Sequence, residues 1–284
     1  MIGEHFRTAA FLAVLLAACG SSGATSNHHR AEVTATGPSS SGPTASESPI
    51  TPRKEFLAGT EAVHFRSADG DLLAGRLFGQ GSTGVILSHM GPGGNDQTEW
   101  WPTAHLLAGR RYRVLTYDYS GICPGGPAGC STGETSIAVP APNLVGAIRF
   151  LRARGVRHVV LGGASMGAMA SLKVAARRDV KVSAVISVSG VEQLFGPYEL
   201  GRHVIARIAE PKLFLAGAFD HEAADSARDW LRWSKPPKDG RVLDTGLHGT
   251  DMIGEASGAD ADIPGIVVRT VLGFLDRYAP ANAG

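Results

Sequence analysis

The sequence predicts one large α/β domain whose mostly parallel, twisted sheet carries helices on both faces. Three observations predict it. From Glu61 onward, short apolar runs alternate with longer stretches whose apolar residues recur at helical spacing. Several of the short runs are apolar at nearly every position, as strands covered on both faces of a parallel sheet must be. Strands alternating with helices imply right-handed βαβ crossovers, which lay helices over both faces of the sheet.

Taken in order, Val63 to Arg66 and Leu72 to Phe78 flank Ala68-Asp69-Gly70-Asp71 and predict an opening hairpin with an Asp-Gly turn. Strands are expected at Val85 to Leu87, Arg113 to Tyr117, Val159 to Leu161, Val182 to Val188, Lys212 to Leu215 and Val242-Leu243. Helices are expected at Thr98 to Ala108, Asn143 to Arg154, Met166 to Ala176, Asp220 to Trp233 and Ile263 to Tyr278. No internal repeat is visible.

The 284 residues are 43% hydrophobic and 19% charged, ordinary values for a globular chain with a sizeable core. Lys and Arg number 27 against 26 Asp and Glu, for a net charge of +1. No basic stripe of the kind a phosphate backbone requires is present, so nucleic acid is not an expected partner. No obligate protein partner is evident either.

The first 55 residues read differently. Arg7 precedes the apolar run Ala9 to Ala18, which is too short to span a bilayer and has the anatomy of an export signal. Leu16-Ala17-Ala18-Cys19 follows within it and resembles the lipobox of bacterial lipoproteins. That resemblance implies a signal over residues 1–18, lipidation at Cys19, and an extracytoplasmic, membrane-anchored location; a plain cleaved secretory signal is the competing reading. Residues 19–55 are rich in Ser, Gly, Thr, Ala and Pro and have few large apolar side chains, which predicts a disordered tether. A flexible run of this length has a root-mean-square span of about 30 Å. His28-His29 within it reads as a solvated pair. Cys123 and Cys130 flank a Gly/Pro-rich loop and are expected to form a disulfide in an oxidising compartment. Two thiols without a His or Cys at ligand spacing make a poor zinc site.

The chemistry concentrates at Gly163-Ala164-Ser165-Met166-Gly167, which follows the apolar run Val159 to Leu161 and opens an Ala-rich helix. Strand, GxSxG and helix in that order define a nucleophile elbow. The turn is tight enough that the positions two before and two after the serine must lack side chains, and the helix aims its first N–H groups at charge developing on an attacked carbonyl. With these residues the domain over residues 56–280 resembles the α/β-hydrolase family. The resemblance implies the order serine, acid, histidine. Lys212 to Leu215, then Ala216-Gly217-Ala218-Phe219-Asp220, is similar to the family's acid-bearing strand exit, making Asp220 the candidate acid and Asp225 the fallback. Val242-Leu243-Asp244-Thr245-Gly246-Leu247-His248-Gly249 is similar to the final strand and its His-Gly turn, making His248 the candidate base. His158, His203 and His221 read as surface or structurally satisfied residues.

One oxyanion donor is expected from the amide of Met166, the residue after the nucleophile. The second falls in Ser88-His89-Met90-Gly91-Pro92-Gly93-Gly94, where Met90 stands in the place the family usually fills with Gly. Met90 and Gly91 are both candidates; His89 reads as a turn-ordering residue. Tyr117-Asp118-Tyr119-Ser120-Gly121 is similar to the family's Asp-x-Arg-Gly turn with Ser120 in the Arg place, which makes Asp118 structural. The segment Gly190 to Glu210 is short for a lid, so a fairly open site is expected, partly roofed by Phe195, Tyr198 and Trp100 or Trp101. The resemblance implies a serine hydrolase needing no cofactor or metal and acting on a small-molecule ester or lipid-like substrate. An acyltransferase or peptidase on the same residues, and a catalytically silent binding module, are the alternatives.

Overall fold

A computed structural model describes residues 54–91, 93–124, 129–136, 138, 140–193 and 200–282. These residues belong to one compact unit, Pro49–Gly284. The signal, Cys19 and nearly all of the tether lie outside the described residues, as do Phe195 and Tyr198. At the start of the described chain, Lys54–Phe56 forms a 3-10 turn whose Phe56 ring meets His105 edge-on.

Eight strands form one sheet: β1 (Glu61–Arg66), β2 (Leu72–Phe78), β3 (Thr83–Ser88), β4 (Arg113–Tyr117), β5 (His158–Ala164), β6 (Ala184–Val188), β7 (Lys212–Gly217) and β8 (Lys238–Leu243). Their spatial order is β1-β2-β4-β3-β5-β6-β7-β8. β1 and β2 pair antiparallel, β2 meets β4 antiparallel, and every pairing from β4 to β8 is parallel.

The helices are α1 (Trp101–Gly109), α2 (Ala141–Ala153), α3 (Met166–Ala175), α4 (Arg202–Ile205), α5 (His221–Trp233) and α6 (Ile263–Tyr278). The first predicted helix divides into a 3-10 turn, Gln97–Trp100, and α1, with Pro102 in the first turn of α1, where a missing N–H costs nothing. The short α4 has too few residues to show a helical period.

The continuous apolar strands feed two cores. Along β5, Val159 and Leu161 face a core shared with α2, α3 and α5, and Val160 and Ala164 face one shared with α1 and α6. Both Trp100 and Trp101 lie in the second core, 2% and 1% exposed. This corrects the expectation that either one roofs the site: the Trp100 indole N–H donates to the carbonyl of Ser88 beneath it, at 3.0 Å.

The loop after β4 folds back over β2. The amide of Thr132 donates to the Leu72 carbonyl at 2.8 Å, the Ser131 hydroxyl bridges the Ala74 amide and the Asp118 carbonyl, and Cys123 and Cys130 are joined as a disulfide. No helix among the described residues is long and apolar enough to cross a membrane.

Candidate active site

Ser165 sits between β5 and α3 with φ +50° and ψ −115°, a left-handed conformation that an L-residue holds only when its surroundings impose it. They do so from both sides: the Ser165 amide donates to Val188 at the end of β6 at 2.9 Å, and the Ser165 carbonyl accepts from Met169 in α3 at 3.1 Å. The flanking glycines are a steric requirement. A Cβ on Gly163 would lie 2.2 Å from the carbonyl group of Gly167, and one on Gly167 would lie 2.3 Å from the Ser88 carbonyl oxygen at the end of β3.

The exits of β7 and β8 carry the next two residues. They are stitched together by Ala218 N–H to Leu243 at 2.6 Å and Phe219 N–H to Thr245 at 3.0 Å. Asp220 caps the start of α5, and its Oδ2 lies 2.7 Å from Nδ1 of His248. The Asp220 side chain is 17% exposed and that of His248 38%, so the carboxylate is sheltered and the imidazole reaches solvent. Gly249, directly after His248, has φ +58°, and a Cβ built there would lie 3.5 Å from Cβ of Ala164, the residue before Ser165. The His248 turn thus packs on the elbow itself. Asp225 is elsewhere, exposed on α5 and ion-paired with Arg228 at 2.8 Å. His203 and His221 are exposed and His158 is half-buried at the start of β5.

The turn after β3 lies against both. Met166 opens α3, and a Cβ on Gly91 would lie 3.9 Å from the Met166 Cβ. Met90, in place of the family's glycine, fills the space beside Gly249: the same Cβ built on Gly249 would lie 2.3 Å from its sulfur. The Met90 carbonyl accepts from Nδ1 of the fully buried His89 at 2.7 Å, and the Gly91 carbonyl accepts from Asn95 Nδ2 at 2.8 Å. His89 stacks on Tyr119 at 3.9 Å, its Nε2 accepts from the Tyr119 amide at 3.4 Å, and the Tyr119 hydroxyl donates to the His89 carbonyl. These contacts fix the Nδ1–H tautomer, and burial pulls the imidazole down to about 3, so His89 stays neutral. It holds the turn and relays no proton.

Asp118 accepts from the Gln97 amide at 2.8 Å and the Gln97 side chain at 2.7 Å, and burial raises its carboxyl to about 7. It anchors the 3-10 turn that leads into α1. Sequence reasoning passed over Glu99 in that same turn. Its Oε2 accepts from the Thr250 hydroxyl at 3.1 Å, and burial, opposed by Thr250 and the Met90 amide, raises it to about 7. An acidic residue in an amphipathic stretch carries no local signal of burial. Among the described residues, no cluster of three or more His, Cys, Asp or Glu side chains is placed to hold a metal ion.

A family model described as alpha/beta hydrolase fold matches residues 85–199, a span that starts within β3 and includes the Ser165 elbow. Among solved structures, the chain is similar to an esterase of Pyrococcus furiosus, with a TM-score of 0.62 at 17% identity over 80% of this chain and 94% of that one. It is also similar to a hydrolase from Pseudomonas aeruginosa, with a TM-score of 0.61 at 19% identity over 77% and 99%. The esterase domain of a Rhodothermus marinus protein gives 0.56 at 20% identity over the same shares. No curated protein matches by sequence. The chain has the alpha/beta hydrolase fold.

Proposed function

We propose that this chain is a serine hydrolase that cleaves a carboxylic ester through an acyl-Ser165 intermediate at the bacterial cell envelope. The observation that carries the reading is the His248–Asp220 pair, 2.7 Å apart, on a turn packed against the residue before the strained serine. In this reading His248 Nε2 accepts the Ser165 proton as the hydroxyl oxygen attacks the ester carbonyl. Asp220 holds the Nδ1–H tautomer and stabilises the imidazolium. The proton passes to the departing alkoxide, leaving the acyl group on Ser165. Water, deprotonated by the same imidazole, then releases the acid and restores the hydroxyl.

The oxyanion is held by the amides of Met166 and Gly91. Gly91 is chosen over Met90 on peptide geometry. In a trans peptide the N–H points opposite to the preceding C=O. The Met90 carbonyl is bound back to the His89 ring, so the Gly91 N–H faces away from that ring, on the side of Met166. Losing one such donor costs about 3 kcal/mol of transition-state stabilisation.

The Cys19 signal context and the Cys123–Cys130 disulfide support an anchored, extracytoplasmic protein, since disulfides persist in oxidising compartments. The fold's likeness to esterases from Pyrococcus furiosus and Rhodothermus marinus supports the substrate class. The test is fluorophosphonate labelling of the full chain together with turnover of p-nitrophenyl esters of graded acyl length. Both are expected in wild type and lost in Ser165→Ala; a wild-type protein that neither labels nor hydrolyses any ester overturns the reading. Cys19→Ala is expected to move the protein from the membrane to the soluble fraction, and unchanged fractionation overturns the anchor.

A further inference from the structure

We propose that Glu99 is a positioning residue for this reaction, its carboxylate tying the oxyanion turn after β3 to the histidine turn after β8. The proposal rests on the serine-hydrolase reading and adds to it a residue that touches neither substrate nor reacting atoms. The geometry is a bridge. Thr250, two residues after His248 and 7% exposed, donates its hydroxyl to Glu99 Oε2 at 3.1 Å. Trp100, next to Glu99 in the same turn, donates its indole N–H to the Ser88 carbonyl at the root of the oxyanion turn, at 3.0 Å. Glu99 therefore links, through Thr250 on one side and its own anchored turn on the other, the two turns whose separation decides whether base and oxyanion donor face the same carbonyl.

The bridge depends on ionisation. As a carboxylate it accepts the Thr250 bond with full charge assistance, and charge-assisted bonds of this kind are roughly twice as strong as neutral ones. When protonated, the group must itself donate with one oxygen, so one accepted bond is lost. The charged groups acting on Glu99 are Asp96 at the head of its own turn and Asp251 beside Thr250, both negative. On the remaining side lie the Tyr119 hydroxyl and the neutral His89 ring that Tyr119 stacks on. Burial and the two aspartates oppose ionisation, and the two donors favour it. The balance places the titration at about 7, so the bridge forms and breaks across neutral pH.

Two ionisations must then be complete for full activity: neutral His248 and ionised Glu99. As pH falls through 7, kcat/KM of the wild type is expected to drop by an extra several-fold until it meets that of Glu99→Gln, which keeps the shape and loses the titration. At pH 8, kcat is expected to fall several-fold in Glu99→Gln and about tenfold or more in Glu99→Ala, with KM changed less than twofold. Thr250→Val, which cuts the other end, is expected to lower kcat similarly and to be non-additive with Glu99→Gln, because both remove one bridge. The measurements use the full chain, with thermal melts confirming that each variant folds. A Glu99→Gln enzyme with wild-type kcat and a wild-type acid limb overturns the proposal, as does a loss confined to KM, or additivity with Thr250→Val. Wild-type labelling at Ser165 is recorded alongside: if it is present while these outcomes fail, the bridge alone is wrong, and if it is absent, the underlying reading is.

Discussion

Replacing Ser165 with glycine should make the protein more stable as it abolishes turnover. Ser165 holds φ +50° and ψ −115°, a region in which an L-residue is strained by about 1–3 kcal/mol. Glycine occupies the mirror of that region's allowed counterpart freely, so the strain disappears on substitution. Two terms oppose the gain. The unfolded chain becomes more flexible, which costs about 0.5–1 kcal/mol. The lost hydroxyl is a small term, since the backbone hydrogen bonds to Val188 and from Met169 survive in Ser165→Gly. A net stabilisation of about 1 kcal/mol is expected, corresponding to a rise in Tm of about 2–4 °C for a domain of this size. Ser165→Ala is the control: it removes the nucleophile and keeps the Cβ, so it retains the strain and should melt with the wild type. Calorimetric or circular-dichroism melts of the three proteins decide the matter. A Ser165→Gly protein that melts at or below the Ser165→Ala temperature would refute the argument that the elbow is strained and held by its neighbours.

Three further outcomes follow from the same structure. Asp220→Asn should lower kcat by about 10⁴ with the fold intact, because the orientation and charge supplied to His248 are lost while the elbow is untouched; steady-state kinetics beside a melt curve checks it. Asp118 is raised by burial from its ordinary 3.8 to about 7, so its contribution to stability is fully present below about pH 4 and is lost as pH rises through 7. Asp118→Asn should therefore flatten the wild-type stability curve across that window in urea titrations at stepped pH. Replacing Cys123 and Cys130 together with serine reopens an eight-residue loop and should cost about 2.5 kcal/mol on the loop-entropy model, read as a lower denaturation midpoint that reductant also produces in wild type.

The parts of the site legible in the sequence are those whose constraint is local in the chain. Gly163 is required by its contact with Gly167, four residues on, so there the motif and the clash are the same fact, while Gly167 itself answers to the Ser88 carbonyl at the end of β3. Alternation of Val159, Val160 and Leu161 between two cores needs no long-range information beyond a sheet with two covered faces. Ile263–Tyr278 was readable to its last residue because sixteen residues give more than four turns of apolar period. Failures arose where a distant partner decides. The indoles of Trp100 and Trp101 carry no mark saying whether they cover a cleft or fill a core; the Ser88 carbonyl, twelve residues earlier, is what draws Trp100 inward. Nothing local to Glu99 marks it as buried; the partner that meets it is Thr250, 151 residues later. The direction of the Met90 carbonyl, toward the His89 ring, is likewise something residue type alone does not specify.

These two kinds of constraint divide the site in half. Ser165, Asp220 and His248 leave strand ends fixed by main-chain pairing, β5 against β6 and β7 against β8, so their positions follow from the sheet and resist change in pH or in single side chains. The turn from Ser88 to Gly91 leaves β3 with no strand to follow and is held by side chains: the buried His89–Tyr119 stack, Asn95 on the Gly91 carbonyl, and the turn of Glu99 and Trp100, whose indole binds the Ser88 carbonyl. Among these, His89 is locked neutral and Asn95 does not titrate, so Glu99 is the member of this set whose charge changes near neutrality. The oxyanion side of the site is therefore where a change of pH should act on geometry. On the serine-hydrolase reading, the strand-end residues keep their places as pH changes, and the turn proposed to cradle the oxyanion is the part that adjusts.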